Sequence, residues 1–104
     1  MLHFDGWRID LTSRTLFNPQ GEVMPLSGME FQFLRILVEY PERIFSRDQL
    51  LELAAGRAMH PHDRSVDVMM SRIRQHLGDD GKSPRYIKTV RNQGYIFAAN
   101  VERL

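Results

Sequence analysis

Cysteine is absent from this chain of 104 residues, which excludes disulfide scaffolds, thiol nucleophiles and thiolate zinc sites. No stretch reaches the roughly 18 consecutive apolar residues that a membrane span needs. The opening Met1-Leu2-His3-Phe4-Asp5 lacks the basic flank and apolar core of a secretory signal. From these absences we expect a reducing, cytoplasmic setting and no membrane partner. Lysine is scarce as well: twelve of the fourteen basic residues are arginine. The planar fork of arginine matches phosphate and guanine edges, which a lysine point charge does not. There are no repeats, low-complexity runs or linker-like stretches. The length allows one core, so residues 1–104 are expected to form a single domain. With 42% hydrophobic and 26% charged residues, the balance is that of a folded globular protein rather than a disordered chain.

The net charge of +1 conceals an asymmetry. Residues 1–60 carry six arginines against eight carboxylates, net −2. Residues 61–104 carry eight cations against five carboxylates, net +3, and the excess rises to +4 between Arg64 and Arg91. A basic half suggests an anionic partner. On charge alone, a solvated charged face is the plainer reading.

The order of elements reads as strands, then helices, then strands. Residues 1–26 alternate as short strands, with Asp5-Gly6 and Asn18-Pro19-Gln20-Gly21 as turns. Such a meander must cover something apolar to be stable. Ser27 and Glu30 form a capping box, flanked by Leu26 and Phe31 as a hydrophobic staple. The helix they start runs from Met29 to about Tyr40 and stops before Pro41. Its apolar residues cover most of its circumference, so it is expected to be buried on several sides. Ser46 and Gln49 repeat the capping box for a short helix from Arg47 to about Ala54, and Ile44-Phe45 before it reads as a brief strand. Asp63 is the expected cap of a third helix ending near Leu77, where Gly78 stops it. The chain finishes in an alternating hairpin, Tyr86–Val90 and Tyr95–Ala98, with Arg91-Asn92-Gln93-Gly94 at its tip.

The third helix carries the most specific signal. At 100° per residue, Met70, Ile73 and Leu77 fall within about 40° of Val66, with Met69 about 60° away, giving a core stripe. Opposite lie Arg64, Val68, Ser71, Arg72 and Gln75, with Asp67 and Arg74 on one flank. The outward face is therefore basic and hydrogen-bonding, with one β-branched apolar residue at its centre. An α-helix fits the major groove of B-DNA, where Arg bonds guanine, Gln bonds adenine and a small apolar group touches the thymine methyl. Single exposed apolar residues are common, however, and a basic amphipathic helix also suits an acidic protein surface or a membrane. The hairpin adds Lys88, Arg91, Thr89 and Tyr95 near its tip. A basic hairpin beside a basic helix is the layout of a winged helix-turn-helix. The plainer reading is a charged turn protecting a sheet edge.

The chain resembles the C-terminal effector domain of OmpR/PhoB-type response regulators over essentially its whole length. The residues that carry the likeness are Pro25-Leu26-Ser27 through Glu30-Phe31 and Ser46-Arg47-Asp48-Gln49-Leu50-Leu51. With them go Asp63-Arg64-Ser65-Val66-Asp67-Val68, Ser71-Arg72-Ile73-Arg74, and Ile87-Lys88-Thr89-Val90-Arg91 with Gly94-Tyr95. The resemblance implies an α+β fold: a winged helix-turn-helix with an N-terminal four-stranded antiparallel sheet, three helices and a C-terminal β-hairpin wing. It implies sequence-specific binding of double-stranded promoter DNA, with helix 63–77 in the major groove and wing 86–98 on the backbone or minor groove. By position, Val68, Ser71 and Arg72 match base-reading residues. Arg64, Ser65, Arg74, Lys88, Thr89, Arg91 and Tyr95 are the expected backbone and wing contacts. The loop from Ala55 to His62, with Arg57, Met59, His60 and His62, matches a segment that engages RNA polymerase. Relatives bind tandem repeats head to tail as dimers after phosphorylation of an N-terminal receiver domain, for which these residues have no phosphoacceptor pocket. Two positions depart from the family pattern. Asn92 stands where a Gly usually follows the wing arginine, and Met69 stands where some relatives have a polar contact residue.

Catalytic and metal readings find little support. His60-Pro61-His62 with His76 lacks matching carboxylate spacing, and Asp79-Asp80-Gly81 lacks the twelve-residue calcium pattern. No Gly-rich phosphate loop or nucleophile elbow occurs. We expect no enzyme activity, cofactor or metal. Two other readings share the fold: a winged-helix module binding an acidic protein surface, and the DNA-binding head of a membrane-anchored activator.

Overall fold

The computed structural model describes residues 1–55, 65–79 and 82–103. Strands β1 (Leu2–Phe4), β2 (Trp7–Asp10), β3 (Thr15–Phe17) and β4 (Val23–Met24) form an antiparallel meander. Asp5 and Gly6 both take positive φ, 47° and 84°, as a two-residue hairpin turn requires. At the next turn but one, the Asn18 side-chain oxygen accepts the Gln20 and Glu22 amides at 3.0 and 2.8 Å. The expected four strands are five. The terminal strand β8 (Glu102–Arg103) pairs with β1, giving the order β4-β3-β2-β1-β8. Two charged residues carry no alternation signal; backbone pairing and an Arg103 bond to the Glu39 carbonyl at 3.3 Å place them.

Alternation along the strands buries Leu2, Phe4, Trp7, Ile9 and Leu16 in one core with helix α1 (Gly28–Glu39). The Ser27 hydroxyl accepts the Glu30 amide at 3.1 Å, and the Glu30 carboxylate accepts the Ser27 amide at 3.2 Å, so the predicted capping box is formed. Phe31, Phe33, Leu34, Leu37 and Val38 are buried, as a helix apolar on most sides requires. Glu30 is buried too. Its second oxygen has no hydrogen-bond partner among the described residues and lies 3.9 Å from His76 Nε2. Helix α2 (Arg47–Ala55) opens with the second capping box, in which Ser46 and Gln49 exchange bonds of 2.9 and 3.1 Å.

Helix α3 (Ser65–Leu77) packs on α1 and α2. It ends at Gly78, φ 67°, where the Gly78 and Asp79 amides bond back to the Gln75 and Arg74 carbonyls. Strands β6 (Ile87–Val90) and β7 (Gly94–Phe97) form the hairpin. The brief strand β5 (Ile44–Phe45) pairs with β7, giving the order β5-β7-β6. That pairing depends on Gly94: its φ is +138°, and a Cβ there would lie 2.0 Å from the Phe45 carbonyl oxygen. Asp79 fastens the base of the hairpin, its carboxylate accepting the amides of Arg85, Tyr86 and Ile87. Asp5 joins sheet to hairpin through Arg85 at 2.9 Å and the Tyr86 hydroxyl at 2.5 Å.

Candidate nucleic-acid interface

Helix α3 divides as its periodicity predicts. Val66, Met70, Ile73 and Leu77 are buried, and Met69 packs partly buried at the edge of the core. Val68, Ser71, Arg72 and Gln75 are exposed. Their spacing of three and four residues puts them in one row along the helix. Val68 is 47% exposed within that polar row. Arg72 has no hydrogen-bond or ion-pair partner among the described residues, so its guanidinium fork is open.

The hairpin stands beside this row. Lys88 and Arg91 are exposed and likewise have no partner among the described residues. The tip turns through Asn92 at φ 64°, a left-handed conformation that asparagine tolerates better than most residues. The exchange of Gly for Asn at this position thus leaves a tight turn in place.

Arg74 joins helix to hairpin. Its Nε donates to the Ile87 carbonyl at 3.0 Å and its Nη2 to the Thr89 hydroxyl at 2.7 Å. Arg74 and Thr89, each expected as a backbone contact, are bonded to each other. Between them and the turn after α3 lies a concave surface of about 560 Å³, lined by Arg74, Lys82, Ser83, Pro84, Lys88 and Thr89. Among the described residues, the charged side chains that line it, Arg74, Lys82 and Lys88, are cationic.

Tyr95 is placed differently from the expected wing contact. It is buried, and its hydroxyl donates to Asp67 Oδ1. The same oxygen accepts Arg47 Nε at 2.8 Å. The guanidinium carbons of Arg47 and Arg74 lie 5.4 and 5.5 Å from the Tyr95 ring centre, within cation–π range. Burial, then the bond to Asp67, pushes the Tyr95 phenol up to about 12, so it stays a proton donor. The bond to Asp67 likewise raises the Arg47 guanidinium. No local sequence signal joins Arg47, Asp67 and Tyr95 into one cluster. Their contacts span 20 and 28 residues, beyond any local period.

Arg64, the side chain of Ser65, and Arg57, Met59, His60 and His62 lie outside the described residues. His76 Nε2 lies 3.9 Å from Glu30, and among the described residues no group of three His, Cys, Asp or Glu is arranged to hold a metal ion. No described helix is long and apolar enough to cross a membrane.

A family model described as "Transcriptional regulatory protein, C terminal" matches residues 21–97. The chain belongs to that family. This effector domain is 44% identical over 101 residues to the transcriptional regulatory protein GltR of Pseudomonas aeruginosa, covering 97% of this chain and 42% of GltR. It therefore spans well under half the length of that relative. Its fold is similar to the RstA DNA-binding domain of Klebsiella pneumoniae, solved in complex with the RstA box. There the TM-score is 0.85 with 41% identity, covering 92% of this chain and 94% of that one. It is also similar to the response regulator DrrB, a Thermotoga maritima OmpR/PhoB homologue, with a TM-score of 0.79 and 36% identity over 92% of this chain and 43% of DrrB. The winged-helix fold and the OmpR/PhoB-type effector class follow from these likenesses.

Proposed function

We propose that this domain binds double-stranded DNA sequence-specifically, as the effector domain of a two-component transcription regulator. The observation that carries the reading is the exposed row Val68, Ser71, Arg72 and Gln75, opposite four buried residues of the same helix and beside the open cations Lys88 and Arg91. In this reading α3 enters the major groove. Arg72 addresses a guanine, Val68 a thymine methyl, and Ser71 a neighbouring base edge. Lys88, Arg91, Arg64 and Ser65 contact the backbone, and the hairpin tip reaches the minor groove. Arg74 contributes its remaining nitrogen, Nη1, and Thr89 its hydroxyl, already joined to each other. The likeness to the DNA-bound RstA domain supports the same reading.

The fuller assignment is a cytoplasmic regulator that acts without catalysis, binds tandem repeats head to tail, and answers to its own receiver domain. Residues 55–62 would meet RNA polymerase. Selection from a random duplex pool tests the core of this reading. A single enriched motif, recovered in tandem copies about one helical turn apart, is the expected result. Recovery of the starting pool unchanged overturns it.

A further inference from the structure

The hydrophobic stripe of α3 holds the helix against the core, but apolar contact is non-directional. Something else must fix the angle between helix and hairpin. Asp67 and Arg74 are seven residues apart, two turns, so they lie on the same flank of α3, about 10 Å from one another. Both reach the hairpin. Asp67 takes the Tyr95 hydroxyl from β7, and Arg74 donates to Ile87 and Thr89 on β6. Asp67 also takes Arg47 from α2. Three elements therefore meet at one carboxylate oxygen, and each bond is directional and charge-assisted.

We propose that Asp67 and Tyr95 are positioning residues: with Arg74 they form a two-point clasp that sets the pose of α3 relative to the hairpin. This rests on the DNA-binding reading. Tyr95 then acts on DNA through Asp67, not by touching it. Its burial leaves no free hydroxyl to offer a phosphate. The clasp also ties the two DNA-contacting elements into one unit, so that a base-reading row and a phosphate-gripping hairpin arrive at the duplex in fixed register.

The test is Tyr95→Phe, which keeps the ring and removes only the hydroxyl. Affinity is measured on the duplex selected by the wild-type protein and on a random duplex, each across a salt series, at a temperature where circular dichroism shows the variant fully folded. The expected result is a roughly 3- to 30-fold loss on the selected duplex, with random-duplex affinity and both salt slopes unchanged. In an Asp67→Asn background the same substitution should have little further effect. Equal losses on both duplexes, with a slope lowered by about one contact, would mean that the hydroxyl meets a phosphate and would overturn the clasp. Unchanged affinity on both would reduce Tyr95 to a stability residue and overturn it equally. Failure of the wild-type protein to select any sequence is a separate outcome: it removes the DNA reading itself.

Discussion

Asp5 apart, whose carboxylate ties the first turn to Arg85 and Tyr86, the amino-terminal sheet and the half built from α3 and the hairpin use their polar side chains differently. In the sheet, Asp10 takes the amides of Thr12 and Ser13, and Asn18 takes those of Gln20 and Glu22. These groups close turns between neighbours in sequence. In the second half, Arg74, Asp67 and Asp79 bond across elements, while Arg72, Lys88 and Arg91 are open to solvent. A protein that only needed to fold could treat both halves alike. Polar groups that bond locally mark scaffold; long-range polar ties beside open cations mark a surface held in shape for a partner.

The comparison breaks most sharply at Gly94. Replacing it with alanine puts a Cβ within 2.0 Å of the Phe45 carbonyl, on a backbone with φ +138°. We expect a loss of about 3 kcal/mol or more in denaturant unfolding, with separation of β5 from β7. A stability within experimental error of wild type would show that the hairpin does not depend on that close approach.

Arg72→Ala should cost about 1–3 kcal/mol on the selected duplex, relax preference at one base position, and leave the melting temperature unmoved. Equal losses on selected and random duplexes would take base reading away from it. Lys88→Ala or Arg91→Ala should weaken binding on every duplex and lower the salt slope by about one each. A slope unchanged in either variant keeps that side chain off the phosphates.

The smallest effect belongs to the scaffold. The bonds from the Ser13 and Thr12 amides hold the Asp10 carboxyl below its ordinary 3.8. A lowered native value means that the contribution is present above the ordinary ionisation range and goes as pH falls through the native one. Asp10→Asn should therefore melt slightly below wild type at neutral pH, with the gap closing in acid and DNA affinity unaffected. A gap that widens in acid would contradict this sign.

What could be read from sequence was what is local. Ser27 with Glu30, and Ser46 with Gln49, announce both helix starts, because a capping box closes within four residues. The period of α3 separates Val66, Met70, Ile73 and Leu77 from Val68, Ser71, Arg72 and Gln75, and Gly78 marks its end. The fifth strand escaped because Glu102-Arg103 has no apolar member; only a partner a hundred residues earlier makes it a strand. Tyr95 escaped for a related reason. Residue type and place near the hairpin tip suggest a hydroxyl facing outward, whereas a carboxylate 28 residues away turns it inward. Periodicity reports which way a side chain faces the core, not which distant polar group it finds there.

One consequence lies in the pairing of β8 with β1. Leu2 stands opposite Arg103, so the polypeptide enters and leaves at adjacent positions on one edge of the sheet. A short peptide bridge could join these ends, and new termini could be opened elsewhere, without stretching any strand. A circularly permuted version would then keep the duplex-facing surface while moving both attachment points, which would reveal how far a fused neighbour's influence depends on where it is tethered.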